Sequence, residues 1–555
     1  MDSPRPTQVD AESTSATRVP AGSPVHQRVP ICAQPVRQLD VDTVLPFCRI
    51  LSVAEMQRLR SRLTRSTVRV PLADATKGIM HAEAADVSRV VREPLAQRLV
   101  CVSNRISLPR RTAAPGGLAV GVLAALKRTG GMWFGWGGDL SDADAGEPDL
   151  QMRDGVTYAL LELQRREFEL YYNGFSNASL WPLFHYMPGN FRFRASEWQA
   201  YENVNRQFAQ KLLPLLQPDD LIWVHDYHLI PLARRLREIG VRAPIGFFLH
   251  IPFPYVEALR VLPTCAELIC GLASYDLVGF QTQSDLDSFY SAAQRFFGST
   301  FRRTPDGFQM GERFVAAGVF PIGVDVEAIQ AEAQHARNRE IVRRMVDSLL
   351  GRKLMIGVDR LDYSKGLVER FGAYEEFLET FPEGRGRITY LQIAPLSRKD
   401  VQSYAEIRRA LEQAAGRTNG RFADTDWTPI RYLNRNFPHE SLMGFMRAAQ
   451  VGLVTPLRDG MNLVAKEYLA AQDPTDPGVL VLSNLAGAAH ELTAALQVNP
   501  YDSRAVGQAI QRALTMSLDE RRERHLELLD VLHRNTVESW SDGFVATLQR
   551  AAAKH

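Results

Sequence analysis

Cysteine is nearly absent, with five in 555 residues (Cys32, Cys48, Cys101, Cys265 and Cys270), and the odd count contains no CxxC pair. A disulfide framework and a thiolate zinc site are thereby excluded, and buried thiols in a reducing cytoplasm are expected. The twelve histidines include no HExxH. His225 and His228, at i and i+3, have no cysteine or further histidine beside them in sequence, which favours a role without a metal. No run approaches the roughly eighteen apolar residues of a membrane helix, and residues 1–24 lack the apolar stretch of a secretory signal. A net charge of +2 gives no basic field, so nucleic acid is not an expected partner; the pairs Arg110-Arg111 and Arg234-Arg235 read as solvated faces. Lysine is scarce too, supplying eight of the 65 basic residues. Where Arg is the default cation, a Lys in a loop points to a need for a compact ammonium, as at a phosphate.

What is present is apolar content of 45%, enough for a large core, and a length that suggests about two to four domains. Residues 1 to about 40 are rich in Pro, Ser, Thr and Ala without periodicity and read as disordered. Ser52 and Glu55 form a capping box ahead of Met56, Leu59 and Leu63, predicting a short helix made basic by Arg58, Arg60, Arg62 and Arg65. Asp40-Val41-Asp42-Thr43-Val44 mimics a phosphatase signature but lacks the apolar strand that must precede it.

From Leu99 onward, short apolar runs alternate with helix-length segments. Strands are predicted at 99–102, 221–224, 245–249, 277–280, 315–320, 354–358, 388–393, 430–433, 451–454 and 479–482. Such runs imply parallel sheets covered on both faces, hence an α/β fold of two doubly wound halves. With a hinge near Pro321–Asp325, the expected division is an extension over 1–95, one Rossmann-like domain over 96–322 and a second over 323–555, whose C-terminal helix crosses back.

Two segments of the second half carry phosphate chemistry. The strand 451–454 runs through Thr455 and Pro456 into Arg458-Asp459-Gly460-Met461-Asn462-Leu463-Val464-Ala465-Lys466-Glu467. A strand that breaks at a Gly and opens a helix with a carboxylate in its first turns suits a nucleoside diphosphate, with free amides for the phosphates and the carboxylate for the ribose. The strand 354–358 likewise runs into Asp359-Arg360-Leu361-Asp362-Tyr363-Ser364-Lys365-Gly366, ahead of a helix whose buried face is Leu367, Phe371, Tyr374 and Leu378. Arg360 and Lys365 then lie at the carboxyl edge of the sheet, where its ligand crevice forms.

The first half has its own set. Ser103-Asn104-Arg105 ends the first strand, and Gly116-Gly117 opens a helix where amides can approach an anion. Trp133-Phe134-Gly135-Trp136, Tyr171-Tyr172-Asn173-Gly174-Phe175-Ser176-Asn177 and Leu180-Trp181-Pro182 combine rings with short polar groups, as sugar sites do, although rings are more often core. His225-Asp226-Tyr227-His228 and His250-Ile251-Pro252-Phe253-Pro254 complete two strand ends.

In this order the strings VSNRI, GGLAVG, WFGW, YYNGFSNASLWPLFHY, WVHDYHL, GFFLHIPFP, DRLDYSKG, QIAPLSR, LVTPLRDGMNLVAKEY, NPYD and RALTMSL resemble the trehalose-6-phosphate synthases from about Leu99 to Trp540. These are retaining glucosyltransferases of the GT-B fold, two Rossmann-like domains facing each other across a cleft, that join UDP-glucose to glucose 6-phosphate. The resemblance implies that Arg360 and Lys365 meet the donor diphosphate, with Gly116 and Gly117 closing from the other domain. It implies Asp459 for donor glucose hydroxyls, the amides of Leu463, Val464, Ala465 and Lys466 for the diphosphate, Glu467 for the ribose and the Phe437 backbone for uracil. The acceptor phosphate is implied among Arg105, Tyr172 and Arg398, its sugar against Asp226 and Trp181, and His250 near the donor glucose.

A diphosphate leaves well once its charge is neutralised, so two fixed cations and helix-terminal amides suffice without metal or cofactor. No carboxylate nucleophile is placed by the sequence; the family is thought to use front-face attack, which makes Asp226 an orienter of the acceptor. Competing readings are a pseudo-glycosyltransferase coupling cyclitols, a silent sugar-phosphate sensor, which is expected to have lost Arg360, Lys365 or Asp459, and a phosphorylase, for which no pyridoxal lysine is marked. A cytoplasmic homo-oligomer, dimer or tetramer, acting on small molecules away from membranes is expected; the sequence leaves UDP, GDP and ADP open.

Overall fold

The computed structural model describes residues 97–106, 108, 117–143, 146–396 and 402–553. The extension, its capping box, the phosphatase-like string, Gly116 and Arg398 lie outside the described residues. No described helix is long and apolar enough to cross a membrane.

The first sheet contains β1 (Leu99–Arg105), β2 (Met132–Ser141), β3 (Asp149–Arg153), β4 (Val156–Gln164), β5 (Leu221–His225), β6 (Ile245–Phe248), β7 (Leu277–Phe280), β8 (Phe301–Thr304), β9 (Gly307–Met310) and β10 (Arg313–Val319). Their order is β3-β4-β2-β1-β5-β6-β7-β10-β9-β8, parallel through the middle with antiparallel strands at both edges. The second sheet contains β11 (Lys353–Val358), β12 (Ile388–Ile393), β13 (Ile430–Leu433), β14 (Val451–Val454), β15 (Val479–Ser483) and β16 (Leu496–Val498), all parallel in the order β13-β12-β11-β14-β15-β16. In each sheet the strand order reverses beside the first strand, which opens a crevice at the carboxyl ends of the strands.

All ten predicted strands are present, and six further strands accompany them. The hairpin β3–β4 turns on Asp154 and Gly155, both with positive φ (49° and 75°), the Asp-Gly signature of a two-residue turn. The aromatic run at 132–136 forms β2, where Trp133, Phe134 and Trp136 are buried, so these rings serve the core first. Helix Leu367–Thr380 buries Leu367, Phe371, Tyr374 and Leu378 as its spacing predicts.

The chain leaves β10 through residues 320–325, and helix Val326–Ala336 then packs on helices His439–Ala448 and Leu463–Ala471 of the second half. It returns at 535–537. The C-terminal helix Val537–Ala552 lays Trp540 and Phe544 on the first sheet, with Phe544 stacked 4.6 Å from Trp223 and Trp540 at 4.8 Å. Gly246 on β6 and Gly279 on β7 make room, since a Cβ there would stand 2.7 Å and 2.8 Å from the Phe544 ring.

Candidate active site

β14 ends at Val454, and the loop after it turns into helix Leu463–Ala471 at Asn462, whose backbone is left-handed (φ 77°). Asn tolerates that conformation, and its Oδ1 accepts from the Ala465 N–H at 3.2 Å, capping the helix. The Leu463 and Val464 amides, in the first turn, have no acceptor within the helix and are open to an anion. The loop is held by Gly487 N–H to Asp459 O at 3.1 Å and Ala488 N–H to Met461 O at 2.8 Å.

Lys365 closes the turn Tyr363–Lys365 after β11, and its Nζ stands 2.5 Å from Asp459 Oδ2. Asp459 also accepts from Asn462 Nδ2 at 2.9 Å. Burial works to raise the Asp459 carboxyl, but Lys365 above all, with His185 and Asn462, holds it below the usual carboxylate value, so it is ionised. Beneath the turn Arg370 is fully buried, donating to Asp359, Gln392, the Thr455 hydroxyl at 3.0 Å and the Lys365 carbonyl at 3.1 Å. That network fixes the backbone from which the ammonium projects. Arg360 is exposed and stands 5.8 Å over the ring of Trp181, a residue of the first half, so this cation lies where the two halves face each other.

On the first half, Arg105 at the end of β1 lies 5.2 Å over the Trp136 ring. Trp136 neighbours Tyr172 at 6.3 Å, Tyr172 stacks on His228 at 5.7 Å, His228 lies tilted against Tyr227 at 3.9 Å, and Tyr227 neighbours Trp181 at 5.8 Å. A continuous row of rings thus leads from Arg105 to Trp181. Tyr172 and Trp181 follow from a π-helix, Glu169–Leu180, that sequence periodicity does not reveal; such wide turns recur at functional sites. Within it Tyr171 and Phe175 are buried, with the Tyr171 hydroxyl donating to Asn104 at 2.8 Å.

Asp226 follows β5 with φ 76° and ψ 165°, a region sparsely used outside glycine, and its Oδ1 accepts from the His250 N–H at 3.3 Å. Such strain costs on the order of 1–3 kcal/mol and persists where the surroundings impose it. His250 Nε2 meets His225 Nδ1 at 3.2 Å, and burial pushes His250 down to about 3, so its ring is neutral at physiological pH.

The two halves touch at Gly460, where a Cβ would fall 2.2 Å from the His250 carbonyl oxygen and 2.9 Å from the Ile251 Cα. Asp459 and Lys365 are thereby brought beside His250 and Asp226. Gly460→Ala is expected to push the 459–462 loop off the 250–252 loop and lower turnover on the order of tenfold to a hundredfold while the melting midpoint moves little. Steady-state rates alongside thermal melts check this; unchanged rates mean that the loops are free to separate.

Other predicted residues lie farther along the same elements. Lys466 points its ammonium away from the cleft, 2.5 Å from Glu491 and 2.6 Å from the Ile322 carbonyl, which leaves only its amide for a ligand. Half-buried Glu467 is raised by burial, against the pull of His439, which pairs with Glu332 at 2.6 Å. Phe437 packs on Phe445 at 5.4 Å beneath Arg435 at 4.6 Å. Gly117 begins the helix Gly117–Thr129. Residues that the sequence reading passed over are Asp362, His185, Arg370 and Arg458, the last 4.5 Å over the Tyr186 ring. Of these only Asp362, an Asx cap two residues before the Ser364 N–H that it binds, carried a readable local signal. Among the described residues no group of three or more His, Cys, Asp or Glu is arranged to hold a metal ion.

A family model for glycosyltransferase family 20 matches residues 97–550, both sheets and the C-terminal helix together. The chain belongs to glycosyltransferase family 20. Among similar proteins, the trehalose-6-phosphate synthase of Escherichia coli strain K12 is 50% identical over 455 residues, which cover 82% of this family 20 chain and 95% of that protein. A crystal structure of an alpha,alpha-trehalose-phosphate synthase (UDP-forming) from Burkholderia xenovorans in complex with glucose-6-phosphate matches with a TM-score of 0.78 at 49% identity, over 81% of this chain and 100% of that one. An E. coli structure bound with UDP-2-fluoro glucose matches with a TM-score of 0.77 at 48% identity, over 81% of this chain and 99% of that one. The two-sheet architecture of this family 20 member is theirs.

Proposed function

We infer that this chain is a retaining glucosyltransferase that moves glucose from UDP-glucose to glucose 6-phosphate, giving α,α-trehalose 6-phosphate and UDP. The observation that carries the reading is the Lys365 ammonium at 2.5 Å from Asp459, beside the open first turn of helix Leu463–Ala471, within a chain about half identical to synthases seen with each substrate type. When the donor arrives, Lys365 and Arg360 neutralise the departing diphosphate with the amides of Leu463 to Lys466, and Asp459 exchanges its ammonium for sugar hydroxyls. Glu467 takes the ribose and the Phe437 backbone the base, with Gly116 and Gly117 approaching from the first half. Arg105, Tyr172 and Arg398 take the acceptor phosphate. Trp181 faces the acceptor sugar, and Asp226 orients it, the strained backbone holding the carboxylate in one direction. His250 lies neutral beside the donor glucose. The leaving oxygen takes the acceptor proton, so no base, metal or cofactor is assigned. We assign 96–322 to the acceptor domain and 323–555 to the donor domain, and expect a cytoplasmic homo-oligomer.

Purified protein mixed with UDP-glucose and glucose 6-phosphate is expected to release UDP and a non-reducing phosphodisaccharide, with activity largely retained in EDTA. UDP-glucose binding without product marks a cyclitol-coupling enzyme or a sensor, and abolition by EDTA overturns the metal-free mechanism.

A further inference from the structure

Asp362 has no solvent exposure, yet its carboxylate joins three parts of the molecule. Oδ1 accepts from the Ser364 N–H at 2.9 Å, in the turn that carries Lys365, and from the Trp181 indole Nε1–H at 3.3 Å. Oδ2 accepts from the Tyr404 hydroxyl at 2.8 Å, in the first turn of helix Gln402–Phe422. Trp181 packs in the core of the first half, whereas Ser364 and Tyr404 belong to elements around the second sheet. A buried carboxylate is held in place by such donors, and an indole is a donor only, so the direction of its one N–H sets the plane of its ring. His185 also packs on the indole: its ring centroid is 4.1 Å away, and its Nδ1 meets the Trp181 carbonyl at 2.7 Å. Because a carbonyl only accepts, Nδ1 carries the proton.

We propose that Asp362 is a positioning residue that sets the plane of the Trp181 indole against the acceptor sugar and holds the Lys365 turn in the same frame. One carboxylate thereby registers the acceptor against the donor diphosphate across the cleft. In front-face transfer the acceptor oxygen and the leaving oxygen lie on the same side of the sugar, so an error of about 1 Å between the two sites is enough to slow the step severely. The proposal rests on the acceptor role assigned above to Trp181.

Trp181→Phe keeps an aromatic face and removes the N–H; Asp362→Ala removes the carboxylate that accepts it, whereas an Asn would still accept from Trp181 and Ser364 through its Oδ1. Each is expected to lower kcat/KM for glucose 6-phosphate by about tenfold or more, and the double variant to fall within about twofold of the worse single, since both remove the same bond. UDP affinity is expected to hold in Trp181→Phe and to fall in Asp362→Ala, where the Lys365 turn loses its cap. A purely structural role instead lowers the melting midpoint and weakens both substrates in each variant. Losses that multiply in the double variant, or parent-like kcat/KM in Trp181→Phe, overturn the proposal. Should Asp362→Ala fail to fold, Trp181→Phe and Trp181→Ala decide. Trp181→Ala impaired toward glucose 6-phosphate with Trp181→Phe intact leaves the acceptor site standing and removes the role of Asp362. Trp181→Ala with an unchanged KM removes the acceptor assignment itself.

Discussion

Lys365→Ala is expected to lower kcat/KM for UDP-glucose by about a hundredfold or more. A preorganised charge aimed at a developing anion in a water-poor site typically contributes about 2–4 kcal/mol to barrier lowering, and each 1.4 kcal/mol is about tenfold in rate. The ammonium is well prepared for this, since its turn is anchored by Arg370 below and its Nζ is already directed by Asp459 at 2.5 Å. Losing Lys365 also strands Asp459 in a buried setting, which by itself could impair the site. The double variant Lys365→Ala, Asp459→Asn separates the two effects, with UDP release as the readout. Because Asp459 is itself assigned to donor hydroxyls, the double variant is read against Asp459→Asn alone: if neutralising Asp459 were all that Lys365 does, those two would turn over alike. A diphosphate role predicts that the double variant is markedly slower than Asp459→Asn, and near-parent turnover in Lys365→Ala would exclude that role altogether.

Lys466→Met is expected to destabilise the fold by about 3–5 kcal/mol, the usual cost of removing one partner from a buried ion pair. The Lys466 side chain has no exposure; its Nζ lies 2.5 Å from Glu491, which in turn accepts from Asn535 Nδ2 at 2.7 Å. Its bond to the Ile322 carbonyl ties the helix that begins at Leu463 to the crossing segment between the sheets, and Asn535 lies on the returning segment. Those two segments are in contact, because a Cβ at Gly323 would overlap the Asn535 carbonyl at 1.8 Å. Burial lowers the Lys466 pKa, with Glu491 opposing, which is the signature of an ammonium whose stability depends on its partner. Urea unfolding measures the loss. Lys466→Met with Glu491→Leu is expected to recover most of it, since replacing both charges by apolar groups removes the desolvation cost along with the attraction. A Lys466→Met midpoint equal to the parent's would show that the pair contributes nothing to the fold.

The sequence by itself determined the class of fold, because a buried parallel strand must be a short apolar run and a covering helix must show its 3.6-residue stripe; the ten predicted strands and helix Leu367–Thr380 follow from those two periods. It also marked two strand ends that the structure brings together, since Asp459, Gly460 and Asn462 after β14, and Lys365 after β11, are local strand-end signals. The hairpin β3–β4 is legible in the same terms, through the Asp154-Gly155 turn and the apolar residues of 156–163. Only the tertiary structure decided which of the two lysines near the cleft directs its ammonium toward the site. Lys365 and Lys466 both stand beside a helix start, but the direction of each side chain is set by what packs against it: Asp459 for one, Ile322 and Glu491 for the other. It alone joined Trp181 to Asp362 across 181 residues of sequence and brought Phe544 onto glycines at 246 and 279. Contacts of that kind depend on distances between elements that periodicity does not encode, and so on how the two halves close on each other.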